Sequence, residues 1–192
     1  MNKNRLEAFS DGVIAIIITI MVLELKPPPG NTLAALVVEL PDFLSYLLSF
    51  AYVAIYWNNH HHLLHSVSRV NASILWANMN LLFWMSLVPF TTAWMGQNGF
   101  AHMPTALYGL SLLMPAFSYY LLQNAIVRQQ GHDGPLAKAL GRDWKGKLSL
   151  ALYCVGISAS FRAPWLALAI YLGVALMWFI PDRRIERALT LS

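Results

Sequence analysis

Long apolar segments separated by short polar ones run through almost the whole chain. They predict six membrane-spanning helices, at residues 8–25, 43–65, 73–94, 105–127, 148–161 and 165–180. At 1.5 Å of rise per residue, most of these segments cover the greater part of a hydrocarbon core that is ~30 Å thick. The pattern therefore predicts an all-α membrane protein, with residues 1–192 forming a single six-span domain.

Asp11 and Glu24 interrupt the first segment at its two ends, which favours a retained helix over a cleaved signal peptide. Asp42 follows a proline and is the expected N-cap of the second span.

The distribution of basic residues supports this number of spans and gives an orientation. If the N-terminus is cytoplasmic, all of the 13 Lys and Arg residues except Lys26 and Arg162 fall on the cytoplasmic side. Cytoplasmic loops of membrane proteins carry such an excess of positive charge. We therefore expect both termini in the cytoplasm. We also expect the basic loop at residues 129–147 to contact anionic membrane lipids.

Composition agrees with a membrane protein and leaves little room for other classes. The 192 residues are 57% hydrophobic and only 11% charged, with a mean hydropathy of +0.51, whereas about a quarter of the residues in a soluble domain are charged. The net charge of +4 is spread over several loops, so no nucleic-acid partner is predicted. The sequence contains no GxSxG, Walker or GxGxxG motif and no TVGYG filter, so neither an enzyme nor a cofactor is expected. The single cysteine, Cys154, lies in an apolar segment and is expected to be buried.

The first span carries an apolar stripe and an acid that points away from it. On a helix with ~100° between residues, Asp11 lies roughly 140° from Ile16. Within about 60° of Ile16 lie Gly12, Thr19, Ile20 and Leu23. Polar groups are costly in lipid and face protein or water, so this helix is a candidate for lining a pathway. Periodicity alone favours ordinary helix packing instead, with the threonine hydroxyl bonded to the carbonyl four residues earlier.

The second span ends in a cluster of histidines, which are His60, His61, His62 and His65. Imidazole is a common metal ligand, but only His61 and His65 share a helix face, and no HExxH motif is present. We therefore predict no metal site. The imidazoles are expected to hydrogen-bond to neighbouring helices, where the candidate partners are Asn71, Asn78 and Asn80.

Two motifs in these spans resemble a known family. Arg5-x-x-x-Phe9-Ser10-Asp11 opens the first span, and Trp57-x-x-His60-His61 closes the second. Both are similar to motifs of the bacterial and archaeal relatives of the lysosomal potassium channel, transmembrane protein 175. The resemblance implies one six-span unit per chain and a homotetramer in the cell (inner) membrane, with the first helix lining a central pore.

By the same resemblance, Ile16 forms the hydrophobic constriction of the pore, with Ile20 and Leu23 as further apolar rings and Thr19 as a pore-facing hydroxyl. Such a constriction would gate by dewetting. Ala15 occupies a position where the animal channel has serine, so potassium is expected to be only modestly preferred over sodium. The motif residues would form a network that fixes the pore helix: Arg5, Phe9, Ser10, Asp11, Trp57, His60 and His61.

The leading hypothesis is thus a potassium-permeable cation channel that passes ions down their gradient. Its expected partners are membrane lipids, potassium and, as further candidates, other monovalent cations. The alternative is a small proton- or cation-coupled transporter that uses Asp11 or the His60–His65 cluster. A third hypothesis is a membrane enzyme or metal transporter based on that same cluster.

Overall fold

The computed structural model describes residues 2–67, 69–131, 134, 136–137 and 143–179, and all regular structure within them is helical. The helices are α1 (Lys3–Leu23), α2 (Leu33–Val38), α3 (Leu40–His65), α4 (Ala72–Ser86), α5 (Val88–Gln97), α6 (His102–Gln130), α7 (Trp144–Ser160) and α8 (Pro164–Phe179). The short α2 lies in the first predicted loop and was not predicted.

Helices occur at all six predicted positions within this part of the chain. Those at 3–23, 40–65, 72–97 and 102–130 are long and apolar enough to cross a membrane, and α8 is a shorter apolar helix. α7 and α8 are joined by only residues 161–163 and pack against each other, so they form a helical hairpin. The predicted end of the sixth span at Ile180 lies outside the described residues. So do five of the basic residues that supported the orientation: Lys138, Arg142, Arg183, Arg184 and Arg187.

Three local predictions are corrected by the structure. α1 begins five residues earlier than the predicted span, because Asn2 caps it by accepting a hydrogen bond from Asn4 N–H at 3.2 Å. Asp42 is not the N-cap of α3. Pro41 lies in the first turn, where its missing N–H costs nothing, so the helix begins before it. Cys154 is exposed on the protomer rather than buried.

The third predicted span is interrupted at Leu87, between α4 and α5. Pro89 has no N–H with which to continue the helical hydrogen bonding. Leu87 N–H instead donates to the Trp84 carbonyl at 3.3 Å, which tightens the end of α4, and α5 then continues the span to Gln97. The backbone groups at the break are thus hydrogen-bonded within the same span, as a membrane helix requires.

The helices enclose two apolar cores. One joins α1 to α3, α4 and α6 through fully buried aliphatic residues such as Ile14, Leu63 and Leu81. The other is rich in tyrosine and joins α7 and α8 to α3 and α6, with Tyr108, Tyr153 and Tyr171 at its centre. The first core therefore positions α1, and the second attaches the C-terminal hairpin.

Tyr171 of α8 requires glycine at two positions on neighbouring helices. A Cβ atom added at Gly109 of α6 or at Gly156 of α7 would overlap the Tyr171 ring or hydroxyl. Glycine at such positions allows helices to approach closely in membranes, where packing replaces the hydrophobic effect.

Candidate functional site

The stripe predicted on α1 is exposed on the protomer. Ile16 has 59% of its surface accessible, Ile20 43% and Leu23 74%, and Gly12 and Thr19 are exposed as well. These positions recur at helical spacing, so they form one continuous surface along α1. A Cβ atom at Gly12 would meet no atom of the protomer within 4 Å. No helix of the same described chain therefore covers this surface.

The opposite face of α1 is fully packed against α3, α4 and α5. Its buried residues are Leu6, Ser10, Ile14, Ile17 and Met21, of which none is more than 2% exposed. α1 is therefore held from one side only, and its two faces have separate environments.

A chain of buried polar groups connects α1 to α3 and α4. His60 Nε2 lies 2.6 Å from Asn78 Oδ1, and Asn78 Nδ2 donates to Ser10 Oγ at 2.9 Å. Ser10 in turn donates to the Leu6 carbonyl at 2.8 Å. With the asparagine oxygen as acceptor, His60 is the donor through its Nε2–H. Every bond in this series then has one donor and one acceptor, so the buried groups are satisfied without any charge.

Asp11 lies off the stripe and contacts the same helix that carries His60. Trp57 Nε1–H donates to Asp11 Oδ1 at 3.0 Å. The Trp57 ring stacks on His61, with 6.2 Å between centroids, and His61 stacks on His65 at 6.3 Å. The exposed histidines therefore form an aromatic column along α3, with no hydrogen bond from His61 among the described residues.

Two predicted members of the network are not brought into it. Arg5 is exposed and makes no hydrogen bond or ion pair with any residue that the structure describes, and Phe9 is exposed on the same side as the stripe. Of the predicted asparagines, Asn80 bonds to Ser118 and Asn71 caps α4, so neither contacts a histidine. Within the described part of the chain, no group of three or more His, Cys, Asp or Glu side chains could hold a metal ion.

The sequence predicted the link between Ser10 and His60 through Asn78 only in part: the His60–Asn78 bond was among the expected contacts, and the Asn78–Ser10 bond was not. Both end residues belonged to the predicted network, and Asn78 was one of three candidate partners for the histidines. An amide in an otherwise apolar helix was the available signal. The sequence offered no means of choosing among three asparagines on one span.

Comparison with known proteins identifies the family. The family described as "Endosomal/lysosomal potassium channel TMEM175" matches residues 5–89, which include most of α1 and all of α2, α3 and α4. A protein named potassium channel from Chryseobacterium sp. is 54% identical over 189 residues, which cover 98% of each chain. The chain belongs to the TMEM175 family. Another protein named potassium channel, from Streptomyces collinus, is 34% identical to this family member and aligns with 72% of it and 74% of its own length.

A solved structure extends the likeness to the whole TMEM175 fold. It is the crystal structure of a lysosomal potassium-selective channel TMEM175 homolog from Chamaesiphon minutus, with a TM-score of 0.80 and 28% identity. The alignment covers 94% of this chain and 97% of that one. The resemblance read from the two motifs is confirmed. TMEM175 is a family of membrane ion channels, so the expectation that the chain is not an enzyme is confirmed too.

Proposed function

We propose that four copies of this chain assemble into a potassium-permeable cation channel in the cell membrane, with α1 of each copy lining a central pore. The exposed stripe of α1 carries the proposal, because it is the face of a firmly packed helix that no described segment of its own chain covers. A surface repeated at one position per subunit closes into a ring under cyclic symmetry.

In this assembly, the four copies of Ile16 form the narrowest ring. Ile20 and Leu23 form further apolar rings nearer the C-terminal end of α1. A narrow apolar constriction does not hold water, so hydrated ions pass only when the ring widens. Thr19 presents the one hydroxyl on the stripe, although its Oγ1 also donates to the Ala15 carbonyl at 2.9 Å. We infer a modest preference for potassium over sodium, since the stripe offers no array of carbonyl oxygens.

We further propose that all six predicted segments span the membrane and that both termini are cytoplasmic. α7 and α8 contain 17 and 16 residues, respectively. Helices of that length can cross by local thinning of the bilayer and by snorkelling of flanking residues. Lys147 in the first turn of α7 and Arg162 just after its end are exposed at positions that suit such snorkelling.

The deciding experiment records single channels from the purified chain in planar bilayers. Ile16→Asn should hydrate the constriction and raise the unitary conductance severalfold, while Ile16→Val should have a small effect. Val22→Asn is the matched control, because Val22 is also exposed on α1 but lies about 120° from Ile16. Unchanged currents in Ile16→Asn would show that Ile16 is not the gate.

The oligomer is tested separately by native mass spectrometry of the chain released from lipid nanodiscs. A tetramer mass is expected, and a stable monomer would refute the proposed pore. A saturating flux that is coupled to a second solute, without unitary current steps, would favour the transporter alternative. The reversal potential under potassium and sodium gradients measures selectivity.

A further inference from the structure

A groove on the surface of the C-terminal hairpin is separate from the α1 stripe. It is formed by α7, the start of α8 and the residues that join them, and it holds about 500 Å³. Cys154, Ser158 and Arg162 follow one another along it at helical spacing, and Leu166 of α8 lines it too. All of its lining residues except Ala159 are exposed on the protomer, so no described segment of the chain covers the groove.

The groove has about the length of one membrane leaflet. From Cys154 to Arg162 the chain advances eight residues, which is about 12 Å along a helix axis. One leaflet of a hydrocarbon core that is ~30 Å thick is about 15 Å deep. If α7 crosses the membrane as proposed, the groove therefore runs from the level of the lipid headgroups to near the middle of the bilayer.

The two ends of the groove differ in polarity. Arg162 lies between Phe161 and Trp165, which are 55% and 69% exposed, as is typical of aromatic side chains at a membrane–water interface. At the other end, Ser158 Oγ donates to the Cys154 carbonyl at 2.9 Å, so its hydroxyl hydrogen is already used within α7. An occupant therefore meets a charge at the interface and a largely apolar wall below it.

The charge of the groove indicates the headgroup that suits it. Arg162 is the only charged residue among those that line it, and its side chain makes no hydrogen bond or ion pair with any described residue. A guanidinium group binds phosphate oxygens in bidentate geometry. An ammonium group on the same headgroup would find no carboxylate in this lining. The groove therefore favours a phosphate headgroup of net negative charge.

We propose that this groove binds a phospholipid of net negative charge, with one acyl chain along α7 and the phosphate on the Arg162 guanidinium. The hairpin packs on α3 and α6, whereas α1 packs on α3, α4 and α5. The groove thus belongs to the helices that lie away from the proposed pore, where lipid rather than a second copy of the chain is the expected neighbour. This inference rests on the proposed crossing of the membrane by α7 and α8, but not on the proposed gate.

The test is native mass spectrometry of the full-length chain in detergent, titrated with two lipids that have the same acyl chains. We expect dioleoylphosphatidylglycerol to bind one site per protomer roughly fivefold more tightly than dioleoylphosphatidylethanolamine, as one basic residue at a membrane surface predicts. Arg162→Gln should remove this preference. The matched control is Lys26→Gln, an exposed basic residue outside the groove, which should keep it. Equal affinities for the two lipids, or an unchanged preference in Arg162→Gln, would overturn the proposal.

A second pair of variants tests the position of the acyl chain. Ser158→Leu fills part of the groove and should weaken the binding of both lipids severalfold without changing the mass of the oligomer. Ser86→Leu is the matched control, because Ser86 is also exposed and its hydroxyl also bonds to a carbonyl of its own helix. Unchanged lipid binding in Ser158→Leu would overturn the proposed site. A smaller oligomer in Ser158→Leu alone would overturn it too, since another copy of the chain would then occupy the groove.

Cys154 distinguishes failure of this inference from failure of the proposed membrane crossing. It is the only cysteine of the chain, and it is exposed at the inner end of the groove. In nanodiscs, a water-soluble maleimide should leave Cys154 unlabelled, and it should label Cys154 after transfer to SDS. Labelling in nanodiscs would refute the membrane crossing and the lipid site together. Protection of Cys154 combined with equal affinities for the two lipids would refute the lipid site alone.

Discussion

Replacing Asn78 with leucine tests whether the buried polar chain holds α1 in place. Asn78 is fully buried and is the only described residue that bonds to both Ser10 and His60. Leucine has the same branched shape and the same number of side-chain heavy atoms, so the substitution removes two hydrogen bonds and leaves no cavity. The prediction concerns the free energy of unfolding of the protomer, not the conductance.

The expected loss follows from what each former partner retains. Ser10 keeps its bond to the Leu6 carbonyl, so the loss there is about 0.5–1 kcal/mol. His60 Nε2 is left unpaired in an apolar environment, which costs about 1–3 kcal/mol. Measured hydrogen bonds between membrane helices average only ~0.6 kcal/mol, because the unfolded reference also finds partners. We therefore expect a total loss of about 2 kcal/mol.

The assay is reversible unfolding in mixed micelles with increasing SDS, followed by circular dichroism. Asn80→Leu is the matched control, since Asn80 lies on the same helix, is only partly buried and donates one hydrogen bond, to Ser118. It should lose no more than about 1 kcal/mol. The single His60→Leu and the double variant complete a double-mutant cycle.

The cycle decides whether the His60–Asn78 contact itself is responsible. Removing both partners of a buried hydrogen bond leaves no orphaned group, so the double variant should be more stable than the sum of the two losses predicts. We expect a coupling of about 1 kcal/mol. If the stability losses of the two single variants are strictly additive, the buried polar groups do not hold α1 in the proposed way. The same follows if Asn78→Leu is as stable as Asn80→Leu.

Three further variants test other contacts. Trp57→Phe removes the indole donor to Asp11 but keeps an aromatic ring beside His61. It should therefore lose about 0.5–1 kcal/mol of unfolding free energy in the same SDS titration. A loss larger than that of Asp11→Ala would mean that stacking on His61 contributes more than the hydrogen bond. Gly156→Ala places a methyl group against Tyr171 and should destabilise the hairpin by about 1–3 kcal/mol. Gly173→Ala is the control, because its added methyl group meets open space and should have no effect. Equal unfolding midpoints of the two variants would contradict this prediction. If the proposed pore is right, Thr19→Val lowers the potassium-to-sodium permeability ratio in reversal-potential measurements. Unfolding should not change, because among the described residues the Thr19 hydroxyl bonds only within its own helix. An unchanged ratio would remove Thr19 from the conduction path.

Hydropathy and helical geometry predicted the features that depend on local sequence. Apolar segments of sufficient length become helices in a membrane, because all backbone groups must be bonded internally. The angle between Asp11 and Ile16 depends only on their spacing, so the separation of the two faces of α1 could be predicted before any contact was known. Trp57 as a partner of Asp11 came from the motif, and the two residues are indeed within hydrogen-bond distance.

Features that depend on contacts between distant segments could not be predicted in this way. The tyrosine-rich core brings together α3, α6, α7 and α8, and no spacing within one segment reveals that Tyr52 lies near Tyr153. The prediction that Asp42 is the N-cap of α3 was wrong for a different reason. Either Asp42 or a residue before Pro41 could begin α3, and the choice depends on whether proline lies before the helix or in its first turn.

The two faces of α1 separate stability from conduction, and that separation can be tested with one pair of variants. Ser10, on the packed face, is bonded to Asn78, whereas Ile16, on the exposed face, has 59% of its surface accessible. Asn78→Leu should therefore lower the unfolding free energy of the protomer, while Ile16→Asn should raise the unitary conductance and leave protomer unfolding unchanged. A helix that packed on all sides would instead lose unfolding free energy in both variants, without a raised conductance. Loss of protomer stability in Ile16→Asn would thus mean that the stripe is packed within one chain, and it would remove the main support for a pore lined by α1.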